Sequence, residues 1–295
     1  MNSRSLAVWL LAIRPKTLTA ALIPVIVGTA LASSIHGTVQ LDLSLFAFLS
    51  AIFIQIGTNL FNDAMDFKKG ADTAERIGPQ RVTQSGLLEA NQVAWGGAVC
   101  FLIASLLSIP LLLAGGWPIV VIGIASLIAG YAYTGGPFPL AYVGLGDLFV
   151  LIFFGWVAVG GIYYLNTGTL DREALLAGTQ VGLLSTVLIA INNLRDYQTD
   201  RKAGKRTLAV RLGPTLAKVE IAGLCFVPFV LGGYWFQQGL RWATLLPLGV
   251  FPFAFFLFRR IQKTDPSVVY NQFLAQSALL HLTFGMLLSL GFYLR

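Results

Sequence analysis

The sequence predicts an all-α integral membrane protein with nine transmembrane helices, the N terminus cytoplasmic and the C terminus outside. Three observations carry that reading. Of the 295 residues 56% are hydrophobic and only 11% charged, with a mean hydropathy of +0.74, whereas soluble domains carry about 25% charged residues. Nine apolar runs approach the length of a membrane span, and the basic residues gather on alternate connections between them.

A helix needs about 20 residues to cross the hydrocarbon core. The runs lie at 17–32, 43–60, 93–113, 117–133, 148–165, 174–191, 219–236, 242–258 and 273–294. Backbone groups in lipid must bond within their own segment, and runs this long fit helices better than the short alternating strands of a barrel. The short basic segment before the first run leads into the first of many such runs, which argues against a cleaved secretory signal. Cys100 and Cys225 lie inside apolar runs without partner spacing, so they read as small packing residues. Glycine pairs at 96–97, 115–116, 160–161 and 232–233 suit close helix packing in lipid. The whole chain, 1–295, reads as one membrane domain.

Seventeen of the 20 Lys and Arg residues fall in the N-terminal segment and in the connections after runs two, six and eight; the opposite face has only Arg172, Arg241 and Arg295. By the positive-inside rule this sets the orientation given above. The net charge of +7 is thereby accounted for by the lipid bilayer, and nucleic acid is not needed as a partner. Acidic residues are indifferent to that rule, yet ten of the thirteen lie on the same face. The connections after runs two and six are the roomy ones, so chemistry is expected between them.

Run two ends in Asn59-Leu-Phe-Asn62-Asp63-Ala-Met-Asp66-Phe-Lys68-Lys69-Gly-Ala-Asp72. Offsets of 0, 3, 4 and 7 put Asn59, Asn62, Asp63 and Asp66 on one helical face. Run six ends in Asn192-Asn193-Leu-Arg195-Asp196 and continues to Asp200, Arg201, Lys205 and Arg206; Asn192, Asp196 and Asp200 step by four. Asp favours helix N-termini, whereas these carboxylates crowd C-terminal ends, where the dipole disfavours them. Converging carboxylates need compensating cations. Mg2+ takes oxygen ligands and bridges a few carboxylates to phosphate oxygens. Lys68, Lys69, Arg201, Lys205 and Arg206 would neutralise the remaining phosphate charge, and metal and cations together would stabilise a departing diphosphate.

Asn62-x-x-x-Asp66-x-x-x-x-x-Asp72 and Asn192-Asn193-x-x-Asp196-x-x-x-Asp200 resemble the paired Asp-rich motifs of the UbiA-type intramembrane prenyltransferase superfamily. Arg14-Pro-Lys-Thr-Leu, Asp66-Phe-Lys-Lys-Gly-Ala-Asp-Thr, Arg76-Ile-Gly-Pro, Tyr133-Thr-Gly-Gly-Pro-Phe-Pro-Leu, Gly144-Leu-Gly-Asp and Asn192-Asn-Leu-Arg-Asp are similar to one branch, the bacterial 1,4-dihydroxy-2-naphthoate polyprenyltransferases of menaquinone synthesis. The resemblance runs in matching order from 14 to 213; the last three helices carry no distinctive motif. It implies nine helices around a central cavity in the bacterial cytoplasmic membrane, with an active site opening to the cytoplasmic face. It implies that Mg2+ on the Asp clusters ionises a polyprenyl diphosphate, and that the allylic cation alkylates 1,4-dihydroxy-2-naphthoate with loss of carbon dioxide, leading to demethylmenaquinone. Asp66 and Asp196 would be catalytic, with Tyr133 and Asp147 as further catalytic candidates. Asp63, Asp66, Asp72, Asp196 and Asp200 would hold the metal, and Asn59, Asn62, Asn192, Asn193, Lys68, Arg201 and Lys205 the diphosphate. The superfamily's Tyr-x-x-x-Lys motif is incomplete here: Tyr133 is present, but Pro137 stands at the lysine position and the connection has no lysine.

Further candidates are Arg14 and Lys16, which flank a proline at the start of run one and offer a cation to the aromatic carboxylate. Asp147 is a candidate to orient or deprotonate the ring hydroxyl, weighed against a helix N-cap. Other acceptors, 4-hydroxybenzoate or homogentisate, keep the same chemistry. A transporter would place ionisable groups near the bilayer midplane, where these runs have no obvious carboxylate or lysine.

Overall fold

The structure is a computed structural model that describes residues 3–37, 39–72 and 76–294. The described residues are helical with no strand. Among the described residues eight helices are long and apolar enough to cross a membrane, or nine if one bent pair is a single span.

A short helix, α1 (Ser3–Ile13), precedes α2 (Pro15–His36), which begins with proline at its first position, where the missing N–H costs no helix bond. Between them Arg14 has φ 57°, the sole positive φ of a non-glycine residue among those described. α3 (Leu41–Lys68) has 28 residues, roughly 42 Å at 1.5 Å per residue, so it outruns a hydrocarbon core of about 30 Å. Its polar C-terminal turns, from Asn59 onward, thus emerge at one face.

α4 (Ala90–Leu107) and α5 (Ile109–Ala132) follow. The helical ladder continues past their boundary, where the Leu112 N–H donates to Ser108 O at 2.9 Å. The break comes at Gly116, with φ 65° and ψ −153°, a conformation open essentially to glycine. The expected division between runs three and four therefore falls where the sequence places it. α6 (Gly146–Val150), a π-helical segment (Leu151–Val157) and α7 (Ala158–Thr167) form the next span; α8 (Arg172–Arg195) is followed by the short α9 (Tyr197–Lys202). α10 (Leu208–Leu231) and α11 (Gly233–Gln237) make one span, α12 (Arg241–Leu248) and α13 (Phe251–Lys263) a pair bent by 43°, and α14 (Tyr270–Tyr293) the last.

α8 is the axis of the bundle. In its apolar window 67% of residues are buried, against 17% and 11% in α4 and α5, whose side chains face outward. The main core joins Ile23 and Val27 of α2, Val181 and Leu184 of α8, Ile221 of α10, and Phe284 and Leu288 of α14. Close approach along α8 depends on Gly155, Gly178 and Gly182: a Cβ at Gly155 would stand 2.4 Å from Gly178 O. Of the glycine pairs noted in the sequence, Gly96 and Gly97 do pack tightly, against Trp9 and Phe61, but Gly233 faces open space. His281 is buried and pairs with Ser185 at 3.1 Å.

Candidate active site

The two polar helix ends meet in one cleft. Asp66, Asp72, Arg76 and Arg81 line one side; Asn192, Asp196, Thr199, Asp200 and Lys205 line the other. Their convergence follows from the overlong α3 and from α8, which ends at Arg195 and turns into α9, so that both C-terminal ends leave the bundle at the same face.

Asp66 is central. Its Oδ1 accepts a hydrogen bond from the Tyr142 hydroxyl at 2.9 Å, and its Oδ2 lies 3.4 Å from Arg81 Nη2. Asp72 is held by Arg76 and by Arg81 Nε, the latter at 3.2 Å from Oδ2. Across the cleft Asp196 forms a two-pronged pair with Arg195, at 2.8 and 2.6 Å, and Asp200 lies 3.9 Å from Lys205 Nζ. All four carboxylates are buried. Each is matched to a cation of the chain, as buried charge requires.

Tyr142 is positioned by its backbone: its carbonyl accepts from Arg206 N–H at 2.9 Å, and the next carbonyl, Val143 O, accepts from Arg211 Nη2 at 2.7 Å. Lys69 Nζ lies 4.8 Å and Lys205 Nζ 5.4 Å from the Tyr142 ring centre. Lys69 also donates to Thr134 O at 2.7 Å. Although that connection has no lysine of its own, two therefore reach it from α3 and from the segment after α9. Burial works against the charge on Lys205, but Asp66 and Asp200 outweigh it and raise its ammonium above the ordinary range.

Several residues expected at the cleft face elsewhere. Asp63 accepts from the Val82 and Thr83 N–H groups at 3.2 Å each, and from the Thr83 hydroxyl. Both of its oxygens fasten the α3–α4 connection, and Asp63 is not among the residues that line the cleft. Asn59 donates to Ile13 O and to Thr17 Oγ1, each at 2.9 Å, tying α3 to the start of α2. Lys68 donates to Asn91, while its neighbour Lys69 donates to Thr134 O. Arg201 is exposed on a separate surface depression with Tyr197, Gln198 and Lys202. Of the adjacent asparagines, Asn192 lines the cleft and Asn193 turns away to donate to Asp147 Oδ2 at 3.2 Å. Asn62 accepts from the Thr134 hydroxyl at 2.8 Å and is not among the residues that line the cleft.

Asp147 is in the first turn of α6 rather than at its N-cap, which is Leu145. Its Oδ1 is buried without a partner. Tyr133 is nearby: a Cβ at Gly146 would stand 3.0 Å from its hydroxyl. Burial, and then the charges of Asp147, Asp66 and Asp200, push the Tyr133 phenol well above its usual range and keep it a hydrogen-bond donor. Arg14 has a buried Nη2 without a partner. Its guanidinium is lowered to about 10 by burial and by Arg76, against the pull of Asp63, Asp72 and Asp66. A left-handed backbone at a non-glycine residue, next to an unpaired buried donor, is strain of the kind that collects at functional sites. The side chain of Lys16 lies outside the described residues.

Arg76, Arg81, Tyr142 and Arg195 were not singled out as site residues from sequence. The available signal was Arg76-Ile-Gly-Pro-Gln-Arg81, two arginines around a Gly-Pro turn in a connection already marked for chemistry.

The donor set suits a hard cation. Asp66, Asp196 and Asp200 offer oxygen alone, and the arginines and lysines beside them offer a fork or point charge to phosphate. Among the described residues no three acidic, His or Cys groups stand close enough to hold an ion by themselves. Mg2+ in general takes one or two carboxylates and fills its shell with water and substrate phosphate.

Burial raises Asp72 to about 6, against the opposing charge of Arg76, and raises Asp200 to about 6, against Lys205. Both lie above the usual value of 3.8. The folded state then holds more protons than the unfolded one between about 4 and 6, so these groups lower the stability of the metal-free protein as pH rises through that window. Metal binding needs the ionised form, so Mg2+ affinity is expected to fall steeply below about pH 6. Mn2+ binding followed by electron paramagnetic resonance between pH 5 and 7.5 tests this; an unchanged dissociation constant at pH 5 would refute it.

A model of the UbiA prenyltransferase family matches residues 21–288. The chain is 35% identical to a 1,4-dihydroxy-2-naphthoate octaprenyltransferase of Haemophilus influenzae, covering 99% of this chain and 97% of that one. It is 41% identical to the Escherichia coli protein of the same description, over 71% of this chain and 70% of the relative. The fold is like that of a UbiA homolog from Archaeoglobus fulgidus bound to DMAPP and Mg2+, with a TM-score of 0.60 at 18% identity over 95% of this chain and 99% of that one.

Proposed function

The chain belongs to the UbiA prenyltransferase family, and from that premise we infer that it transfers a polyprenyl group from an allylic diphosphate to 1,4-dihydroxy-2-naphthoate in menaquinone synthesis. The observation that carries the reading is the single cleft in which both Asn/Asp clusters meet four chain cations. The acceptor is supported by relatives of that description at 35% and 41% identity.

Asp66, Asp196 and Asp200 would offer carboxylate oxygens to Mg2+, one or two to an ion with water and substrate phosphate completing its shell, and Asp72 lies beside them under the two arginines. When bound, the metal neutralises charge that builds on the departing diphosphate. Arg76, Arg81, Lys69 and Lys205 turn to the phosphate oxygens as the diphosphate enters, and Asn192 supplies a neutral contact. The bond between the allylic carbon and the diphosphate oxygen breaks with its electron pair on oxygen. The allylic carbon then bonds to the ring carbon bearing the carboxylate, and the carboxylate leaves as carbon dioxide, its bonding pair restoring the aromatic ring. The immediate product is the hydroquinone, and the quinone follows by a separate two-electron oxidation.

Asp147 and Tyr133 serve the acceptor. The unpartnered Asp147 Oδ1 accepts a ring hydroxyl, while Asn193 fixes the other oxygen. Arg14 offers its unpaired Nη2 to the aromatic carboxylate. The charge skew supports a cleft that opens to the cytoplasmic face, and the bacterial relatives support an inner membrane as the home of this single prenyltransferase domain.

Purified protein in detergent, given a polyprenyl diphosphate and each of dihydroxynaphthoate, 4-hydroxybenzoate and homogentisate, is expected to prenylate the naphthoate alone at an appreciable rate. It should release its labelled carboxyl carbon as carbon dioxide and fall silent on chelation of Mg2+. Preference for 4-hydroxybenzoate would overturn the acceptor, and undiminished turnover in chelator the metal.

A further inference from the structure

The segment 76–83 carries both arginines that cover Asp66 and Asp72, and it is held down by residues of two distant helices. Arg195 is fully enclosed, and its guanidinium reaches three partners. Nε and Nη2 bond the two oxygens of Asp196, Nη2 also bonds Asn192 Oδ1 at 2.7 Å, and Nη1 bonds Asn271 Oδ1 at 2.7 Å. Asn271 lies in the first turn of α14. It returns its own amide N–H to Ile77 O at 3.3 Å. Gly78 lies flat on the guanidinium, where a Cβ would stand 2.6 Å from Arg195 Nη2 and 3.1 Å from Arg76 Nη2. Farther along, Asp63 bonds the backbone of Val82 and Thr83. Arg76 and Arg81 thus project from a backbone fixed on either side.

We propose that Asn271 and Arg195 are positioning residues of the diphosphate site: they clamp Ile77 and Gly78 so that Arg76 and Arg81 face the cleft. The last helix, which carries no family motif, thereby completes the site. Asn271 suits the task because an amide both accepts from Arg195 and donates to a carbonyl, joining the second cluster to the first without adding charge. Arg195 suits it because its planar fork bonds in several directions while remaining charged. A carboxylate has about four lone-pair positions, so Asp196 keeps acceptor capacity beyond the two bonds from Arg195. Gly78 is small enough to let the backbone lie against the fork. The proposal rests on reading the cleft as a diphosphate site.

The test compares wild type with Asn271→Leu, of similar shape but without either bond, and Asn271→Asp, which keeps the acceptor for Arg195 and loses the donor to Ile77. Two readouts are used: trypsin cleavage after Arg76 and Arg81 in the substrate-free protein, and steady-state kinetics. Asn271→Leu is expected to raise KM for the prenyl diphosphate about tenfold, the scale of one hydrogen bond to a charged group. KM for the acceptor and kcat should stay near wild type. Cleavage should speed up several-fold and be suppressed again by Mg2+ with inorganic diphosphate. Asn271→Asp should cleave as fast as Asn271→Leu; protection equal to wild type would overturn the Ile77 link. An equal loss in both KM values and kcat, with a lowered melting temperature, would overturn the positioning role in favour of general stability. Wild type that shows no Mg2+-dependent protection by diphosphate would overturn the site reading and this proposal together, whereas protection of wild type with an unaltered Asn271→Leu would overturn this proposal alone.

Discussion

Asp66→Asn is expected to lower kcat for prenyl transfer by roughly 10^3-fold while leaving the protein folded, on the scale seen when a preorganised electrostatic group is removed from a reacting centre. Asp66 is where Tyr142 and Arg81 meet, and it is the first-cluster carboxylate that lines the cleft from α3 itself. Asparagine keeps the shape and one acceptor oxygen but removes the anionic ligand. Arg81 retains Asp72, so no buried cation is stranded, and loss of a desolvated charge leaves stability close to wild type. The measurement is single-turnover prenylation with the purified variant, alongside a thermal melt. A loss below tenfold, with an unchanged melt, would remove Asp66 from the chemistry.

Gly155→Val is expected to damage the packing of the bundle severely. Its Cβ would fall 2.4 Å from Gly178 O and 3.0 Å from Gly182 Cα, both backbone atoms of the most buried helix. Backbone cannot swing aside as a side-chain end can, so the π-helical segment must separate from α8. Overpacking costs about 1–3 kcal/mol where side chains can adjust, and more is expected here. Because Asp147 lies just before that segment and Asn193 near the end of α8, their hydrogen bond should be lost with the packing. Size-exclusion recovery in mild detergent and the melting temperature measure the effect. Gly161→Ala, whose Cβ would meet Ile122 at an ordinary 3.6 Å, serves as control and should behave as wild type. Equal melting of the two variants would refute the packing account.

Much of the fold was readable because a bilayer imposes one strong rule. The span needs a minimum apolar length, and irregular backbone inside lipid is costly. Even the break at Gly116 fell between two predicted runs. Lys68 and Lys69 show where that reading ends, since two neighbours about 100° apart on a helix cannot be told apart until the helix's rotation is known. Asn192 and Asn193 pose the same problem. At the end of α3 the offsets 0, 3, 4 and 7 correctly gave one face, but that face is broad enough to hold two rows. Asn59 and Asp63 form the row that meets α2 and the α3–α4 connection, while Asn62 and Asp66 form the row that meets Thr134 and Tyr142. Arg81, Tyr142 and Asn271 were beyond reach for a different reason. Their partners lie 15, 76 and 194 residues away, and no local periodicity encodes such contacts.

The ion pairs of the cleft also bear on how the enzyme lets go. With Asp66, Asp72, Asp196 and Asp200 each already matched to an arginine or lysine, arrival of metal and diphosphate at the proposed site would be an exchange of partners between four anions and four cations. Departure would be the same exchange run backwards, with no bare carboxylate left in a dry setting when it ends. On the proposed reading the empty and loaded forms would lie closer in free energy than in a site with unpaired carboxylates, and a tightly charged leaving group would not become a trap. A site that had to form its ion pairs only on loading would hold diphosphate harder and turn over more slowly.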